Sequence, residues 1–159
     1  MKSTIIKIVI ALALVWASIS LVWFLHVQSY NKYFDENFEH LHGNTSHIDR
    51  TGDILYGAYT PGYLQFGGNF SCNSKDQSFT ILVWPTYMCR DISEIGLILK
   101  DGKGGGHHVY VDENMNYSAD LNVGITPDED EEVRAIMAEK QTEIVELYSM
   151  MKERFGFDW

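Results

Sequence analysis

The stretch from Ile8 to Leu25, IVIALALVWASISLVWFL, contains no charged residue, and only Ser18 and Ser20 in it are strongly polar. The apolar run reaches back through Ile5 and Ile6, past Lys7, whose aliphatic stem can carry its ammonium out to lipid headgroups. A helix needs about 20 residues, rising about 1.5 Å each, to cross roughly 30 Å of hydrocarbon. Ile5 to Leu25 meets that length, so the sequence predicts one membrane-spanning helix with the lipid bilayer as its partner. Trp23 and Phe24 stand at its far end, with Tyr30 and Tyr33 beyond, where amphipathic rings favour the interface. Trp16 falls in mid-span and does not belong to that belt.

Cations set the expected orientation. Lys2 and Lys7 precede the span, whereas Lys32 alone follows closely, among Asp35, Glu36 and Glu39. The positive-inside rule then puts the N-terminus in the cytoplasm and the remainder outside. A cleaved signal peptide is the rival, with Ser18-Ile19-Ser20 as a small-x-small site. Cleavage there would leave Leu-Val-Trp-Phe-Leu at a new N-terminus, which disfavours it for a soluble product. Both readings export the rest. Ala13 and Ala17 form a small-xxx-small pair, a pattern too common in spans to define a helix partner.

Removing the first 25 of 159 residues leaves 134, enough for one small domain. The chain carries −10, and Lys2 and Lys7 supply +2 within the anchor, so the exported part carries −12. That excludes nucleic acid or anionic headgroups as partners of a basic patch. The expected organisation is an anchor over 1–25, a polar linker or helix continuation over 26–53, and an α+β domain over 54–159.

Within that domain, alternation predicts strands. Leu64, Phe66, Phe70 and Cys72 alternate with polar neighbours, and Phe79 to Trp84 is apolar on both faces and stopped by Pro85. Ile95 to Lys100 and His107 to Asp112 flank a glycine-rich loop, and Tyr117 to Val123 alternates again. The sum is an antiparallel meander of four to five strands. A long helix then follows. Thr126 caps it, Pro127 takes its first position, and Glu129 completes a Thr-x-x-Glu box. Val133, Ile136, Met137, Ile144, Leu147, Tyr148, Met151 and Phe155 make one stripe, interrupted by Lys140 and ended by Gly156. That amphipathic C-terminal helix must bury its stripe, and the sheet offers the face.

Candidate sites are few. Asp112, Asn114 and Asn116 fit the first, third and fifth positions of a calcium loop, but Tyr117 and Val123 occupy the positions that demand glycine and glutamate. An Asp/Asn-rich turn explains them without an ion. His107 and His108, with nearby carboxylates, are the candidate ligands for zinc or copper, yet neighbours in a strand point to opposite faces. His40, His42 and His47 lie in the lead-in without helical ligand spacing. Cys72 and Cys89 are a candidate disulfide, provided the chain doubles back after Pro85. Asn44, Asn69 and Asn116 head glycosylation acceptor patterns. The Gly102-Lys103-Gly104-Gly105-Gly106 run lacks a phosphate-loop pattern, and no nucleophile elbow, zincin motif or cofactor fingerprint occurs. The expected function is therefore a membrane-anchored binding module, or an accessory subunit of a membrane or envelope complex. The alternative is a metal-binding protein or metal-dependent enzyme built on His107 or His108.

Overall fold

The computed structural model describes residues 2–41, 45–100 and 105–157. Helix α1 (Lys2–Asn31) leads into a sheet of β1 (Glu39–Leu41), β2 (Ser46–Thr51), β3 (Ile54–Tyr59), β4 (Asn69–Asn73), β5 (Phe79–Pro85), β6 (Ile92–Lys100) and β7 (Gly106–Val111), closed by helix α2 (Pro127–Phe155). A single 3-10 turn (Tyr87–Cys89) lies between β5 and β6. Spatial order follows chain order and every neighbouring pair is antiparallel. The protein is thus α+β, an apolar N-terminal helix before a meander with one C-terminal helix. Among the described residues α1 is the one helix long and apolar enough to cross a membrane or act as a signal anchor.

The strand count is a correction: seven strands stand where four to five were expected. Three of them, β1 to β3, involve residues read as linker or passed over. In β2 the inward positions are His47 and Asp49, both buried, so hydrophobic alternation could not mark the strand. Conversely, Tyr117 to Val123 is not a strand. It makes one bridge, Val111 to Tyr117, and then turns through Leu121 N–H to Ser118 O and Asn122 N–H to Ala119 O. Its alternation is broken in space because Leu121 and Val123 face solvent. Asn122 does the work of a strand there. Its Oδ1 accepts from Tyr110 N–H at 2.7 Å and its Nδ2 donates to Tyr110 O at 2.7 Å, closing part of the β7 edge with one side chain. Residues 63–68 are irregular as well. Gly68 runs so close to Tyr59 O and the Tyr30 ring that a Cβ would collide with both.

Helix α2 follows its sequence signals. The Thr126 hydroxyl accepts from Glu129 N–H, and Gly156 closes the helix in the left-handed region at φ 66°. Glu129, however, does not bond back to the cap, because its carboxylate accepts from His107 instead. The stripe from Val133 to Phe155 is buried with the inward residues of β4 to β7, including Phe70, Ile81, Leu97 and Val109.

One polar latch holds the two helix ends to the sheet. Arg154, on the last turn of α2, donates from Nε to Asp49 Oδ2 on β2 at 2.7 Å. Its two terminal nitrogens fork onto both oxygens of Asp35, in the segment after α1, at 3.0 Å each. The same guanidinium lies 4.5 Å from the Phe38 ring centre. Hydrogen bonds from Arg154, then from the Asn37 amide, hold the Asp35 carboxyl below the usual range.

Arg154→Met keeps the stem but leaves Asp49 buried without its cation, a loss of about 3–5 kcal/mol in urea unfolding, and adding Asp49→Asn should recover most of it. Asp35 has a lowered pKa in the fold, so its stabilisation is complete above about pH 4 and is lost as pH falls through the lower folded value. The melting temperature of the wild type should therefore drop below about pH 4, and that drop should be smaller in Arg154→Met.

Candidate functional site

Contact between α1 and the domain begins at Ser20. From Ser3 to Ile19 every helix residue is exposed. Beyond that, a line of side chains at helical spacing, Trp23, His26, Tyr30 and Tyr33, turns inward. Trp23 Nε1 donates to Gly62 O at 2.7 Å and its ring meets Tyr63 edge-on at 5.0 Å. Ser20 and Tyr63 share a hydroxyl hydrogen bond of 3.0 Å, and the Tyr87 hydroxyl donates to Val22 O.

His26 is the centre of this junction and is fully buried. The Met88 amide donates to its Nδ1 at 3.0 Å, so the ring proton sits on Nε2 and is donated to Phe66 O at 2.9 Å. Its ring is stacked on Tyr87 at 4.8 Å and on Phe66 at 5.8 Å. One neutral imidazole therefore ties α1 to both the β3–β4 connection and the 3-10 turn. Leu64 (φ 59°), Met88 (φ 63°) and Cys89 (φ 48°) adopt the left-handed region in those two segments, a strained choice for residues with side chains.

A second feature is an open cleft of about 750 Å³ between the start of β6, the end of β7 and α2. Asp91, Glu94 and Glu113 supply carboxylates beside apolar surface that includes Ile95 and Tyr148, and Lys152 also lines the cleft, its ammonium 5.6 Å from the Tyr148 ring centre. Burial, and then the Glu113 charge, push the Tyr148 phenol up to about 12. The cleft has the chemistry to receive a cationic group carried on an apolar stem.

The metal candidates separate. His107 faces α2, with Nδ1 donating to Glu129 Oε1 at 3.1 Å and Nε2 lying 3.7 Å from Glu132 Oε2. His108 points to the other face of the sheet, beside Trp84 and Tyr110. Asp112 turns its carboxylate onto its own loop. Oδ1 accepts the Asn114 and Asn116 amides at 2.9 and 2.8 Å, and Oδ2 accepts from Asn116 Nδ2. Burial pushes the Asp112 pKa up, but those hydrogen bonds outweigh it and leave it lowered. Among the described residues no group of three or more His, Cys, Asp or Glu is arranged to hold a metal ion.

Cys72 and Cys89 are buried free thiols in different surroundings. Cys72 lies at mid-sheet opposite Tyr56 and Ile81, and burial pushes its thiol up to about 12. Cys89 sits against α1, accepting from the Ser29 hydroxyl, and burial raises it despite Ser29, Lys32 and Tyr30. Asn69 opens β4 half-buried and Asn116 is exposed in its turn. Asn44, His42 and residues 101–104 of the glycine-rich loop lie outside the described residues.

Set against known protein families, curated proteins and solved structures, the chain matches none. The sequence divides the junction: Trp23 falls in the apolar run, whereas His26, Tyr30 and Tyr33 fall in the segment read as polar linker or helix continuation, the two tyrosines as interface rings. The Trp23, His26, Tyr30, Tyr33 spacing was the signal that could have found it.

His26→Leu keeps apolar bulk but leaves the Met88 amide and Phe66 carbonyl unpaired. Unfolding of the full chain in detergent should lose about 2–4 kcal/mol. The Met88 amide should exchange with deuterium at least about tenfold faster. Both cysteines should ignore an aqueous thiol reagent in the native protein and react together once the domain is unfolded.

Proposed function

We propose that this is a single-pass membrane protein with its N-terminus in the cytoplasm and its acidic α+β domain outside. The domain acts by binding, as an interaction module or an accessory subunit of a membrane or envelope complex. The carrying observation is the bare stretch of α1. No residue of its most apolar window is buried, and a run of that length facing water would be an unbroken apolar surface. Lys2 and Lys7 before the span, against Lys32 among Asp35, Glu36 and Glu39 after it, support the orientation. Continuity of the helix supports retention of the anchor. A cut after Ser20 would leave Leu21, Val22, Phe24 and Leu25 exposed at a free end. The acidic cleft beside Tyr148 supports binding as the activity, with a cationic group on the partner as its complement.

Alkaline carbonate extraction and a C-terminal reporter active only outside the cytoplasm test both parts. The full-length chain should stay in the membrane pellet with an active reporter. Release as a soluble chain beginning near Leu21 would defeat the anchor, and an inactive reporter would defeat the orientation. Charge reversal in the cleft, Glu94→Lys with Glu113→Lys, should abolish recovery of a partner cross-linked to the detergent-extracted wild type.

A further inference from the structure

We propose that the β3–β4 connection, residues 60–68, together with Tyr87, is a membrane-seating surface that rests in the headgroup–acyl boundary of the bilayer crossed by α1. This rests on the anchor reading above and names lipid as a partner of the folded domain, beyond its helix.

Helix length is the first argument. Ser3 to Ile19, the stretch free of the domain, is 17 residues long. At a rise of about 1.5 Å each it spans about 26 Å, short of the roughly 30 Å of a hydrocarbon core. A span from Ile5 to Leu25 has the required length, but its last six residues are already in the docked segment. Gly62, Tyr63 and Tyr87 are hydrogen-bonded to Trp23, Ser20 and Val22. Those bonds fix the loop at the depth of Ser20 to Trp23. A bilayer thick enough for the helix therefore reaches the loop.

Surface chemistry is the second. Tyr63 is 54% exposed, Leu64 39%, Phe66 44% and Tyr87 48%. Exposed rings and an aliphatic tip on one loop cluster, two of the rings with polar ends, match what the interface zone selects. No charged residue lies between Asp53 and Lys75, so the whole β3 to β4 hairpin is free of charge. The turns at the opposite end of the same strands carry Asp53, Lys75 and Asp76. The exported part carries −12 in total, so contact with lipid rests on apolar and aromatic burial, and no basic patch is involved. A bilayer is favoured over a second protein because the loop is hydrogen-bonded to the helix that would enter it.

Backbone conformation is the third. Leu64 sits at the tip of the turn closed by Gln65 N–H to Gly62 O, with φ 59°. Gly or Asn would adopt that conformation at lower cost, yet an exposed leucine is held there.

Full-length protein is placed in phosphatidylcholine nanodiscs doped with a phosphatidylcholine bearing a diazirine on the upper acyl chain. After photolysis, cross-linked peptides are mapped by mass spectrometry. Lipid adducts are expected on α1 and on residues 61–66, with the Lys75–Asp76 turn unlabelled. Leu64→Asn suits the backbone and removes the apolar tip. It should leave the melting temperature unchanged or raised while loop labelling falls at least about threefold and helix labelling persists. Adducts on the helix with none on the loop would overturn the inference and leave the anchor intact. Adducts on neither would overturn the anchor as well. Equal loop labelling in wild type and L64N would indicate capture without insertion and would also overturn it.

Discussion

The ends of both helices meet the sheet at one buried ring. Phe70, on β4, meets Tyr30 of α1 and Tyr33 just beyond it at 5.5 and 5.1 Å, and Phe155 of α2 and Phe157 just beyond it at 5.0 and 4.9 Å. Aromatic pairs of this kind each add about 0.5–1.5 kcal/mol beyond the area they bury. Phe70 thus joins the first helix, a central strand and the last helix at a single point. Gly156 makes this possible. Its left-handed conformation reverses the chain, and the Phe157 amide bonds back to Lys152 O so that the ring returns to the cluster.

Next to that ring sits its polar counterpart. Arg154 holds Asp35 and Asp49 from the same turn of α2 that supplies Phe155. Phe38 packs on Phe155 and under the guanidinium, so apolar and ionic contacts share one structure. A forked guanidinium is suited to this because it satisfies two carboxylates in a fixed plane, which an ammonium cannot do. The arrangement draws residues 33–38 into the core. The segment that reads as a linker is thereby part of the domain.

This also explains what the sequence could and could not reveal. Helix α2 was legible to its caps because its apolar stripe, Pro127 and Gly156 are local signals that its packing respects. Strands β5, β6 and β7 were legible because their inward residues are mostly apolar, from Phe79, Ile81 and Val83 to Val109 and Val111. Strand β2 was not, since His47 stacks on Phe34 and Asp49 meets Arg154, partners distant in sequence that make polar residues suitable inside. Tyr117 to Val123 misled because alternation records polarity and not direction. The junction at His26 was hidden for a related reason: His26 and Tyr30 read as polar lead-in residues, and the partners that bury them, Phe66, Met88 and Phe70, are 40 or more residues away.

The rigid junction changes what the proposed anchoring would mean for this chain. A tethered domain would sample many orientations and heights above the bilayer. Here the helix enters the core at Tyr30 with no intervening slack, and His26 clamps the two neighbouring segments onto it. Turning the domain relative to the helix would break the His26 hydrogen bonds and unstack Phe70 together. The acidic cleft by β6, β7 and α2 is therefore held at one height and on one side of the helix axis. Under the proposed anchoring, a partner in the same membrane would meet it without a search over orientations, which would lower the entropic cost of recognition. In the membrane-seated pose proposed above, the apolar loop would set the height of the domain and that height would decide where the cleft carboxylates are presented.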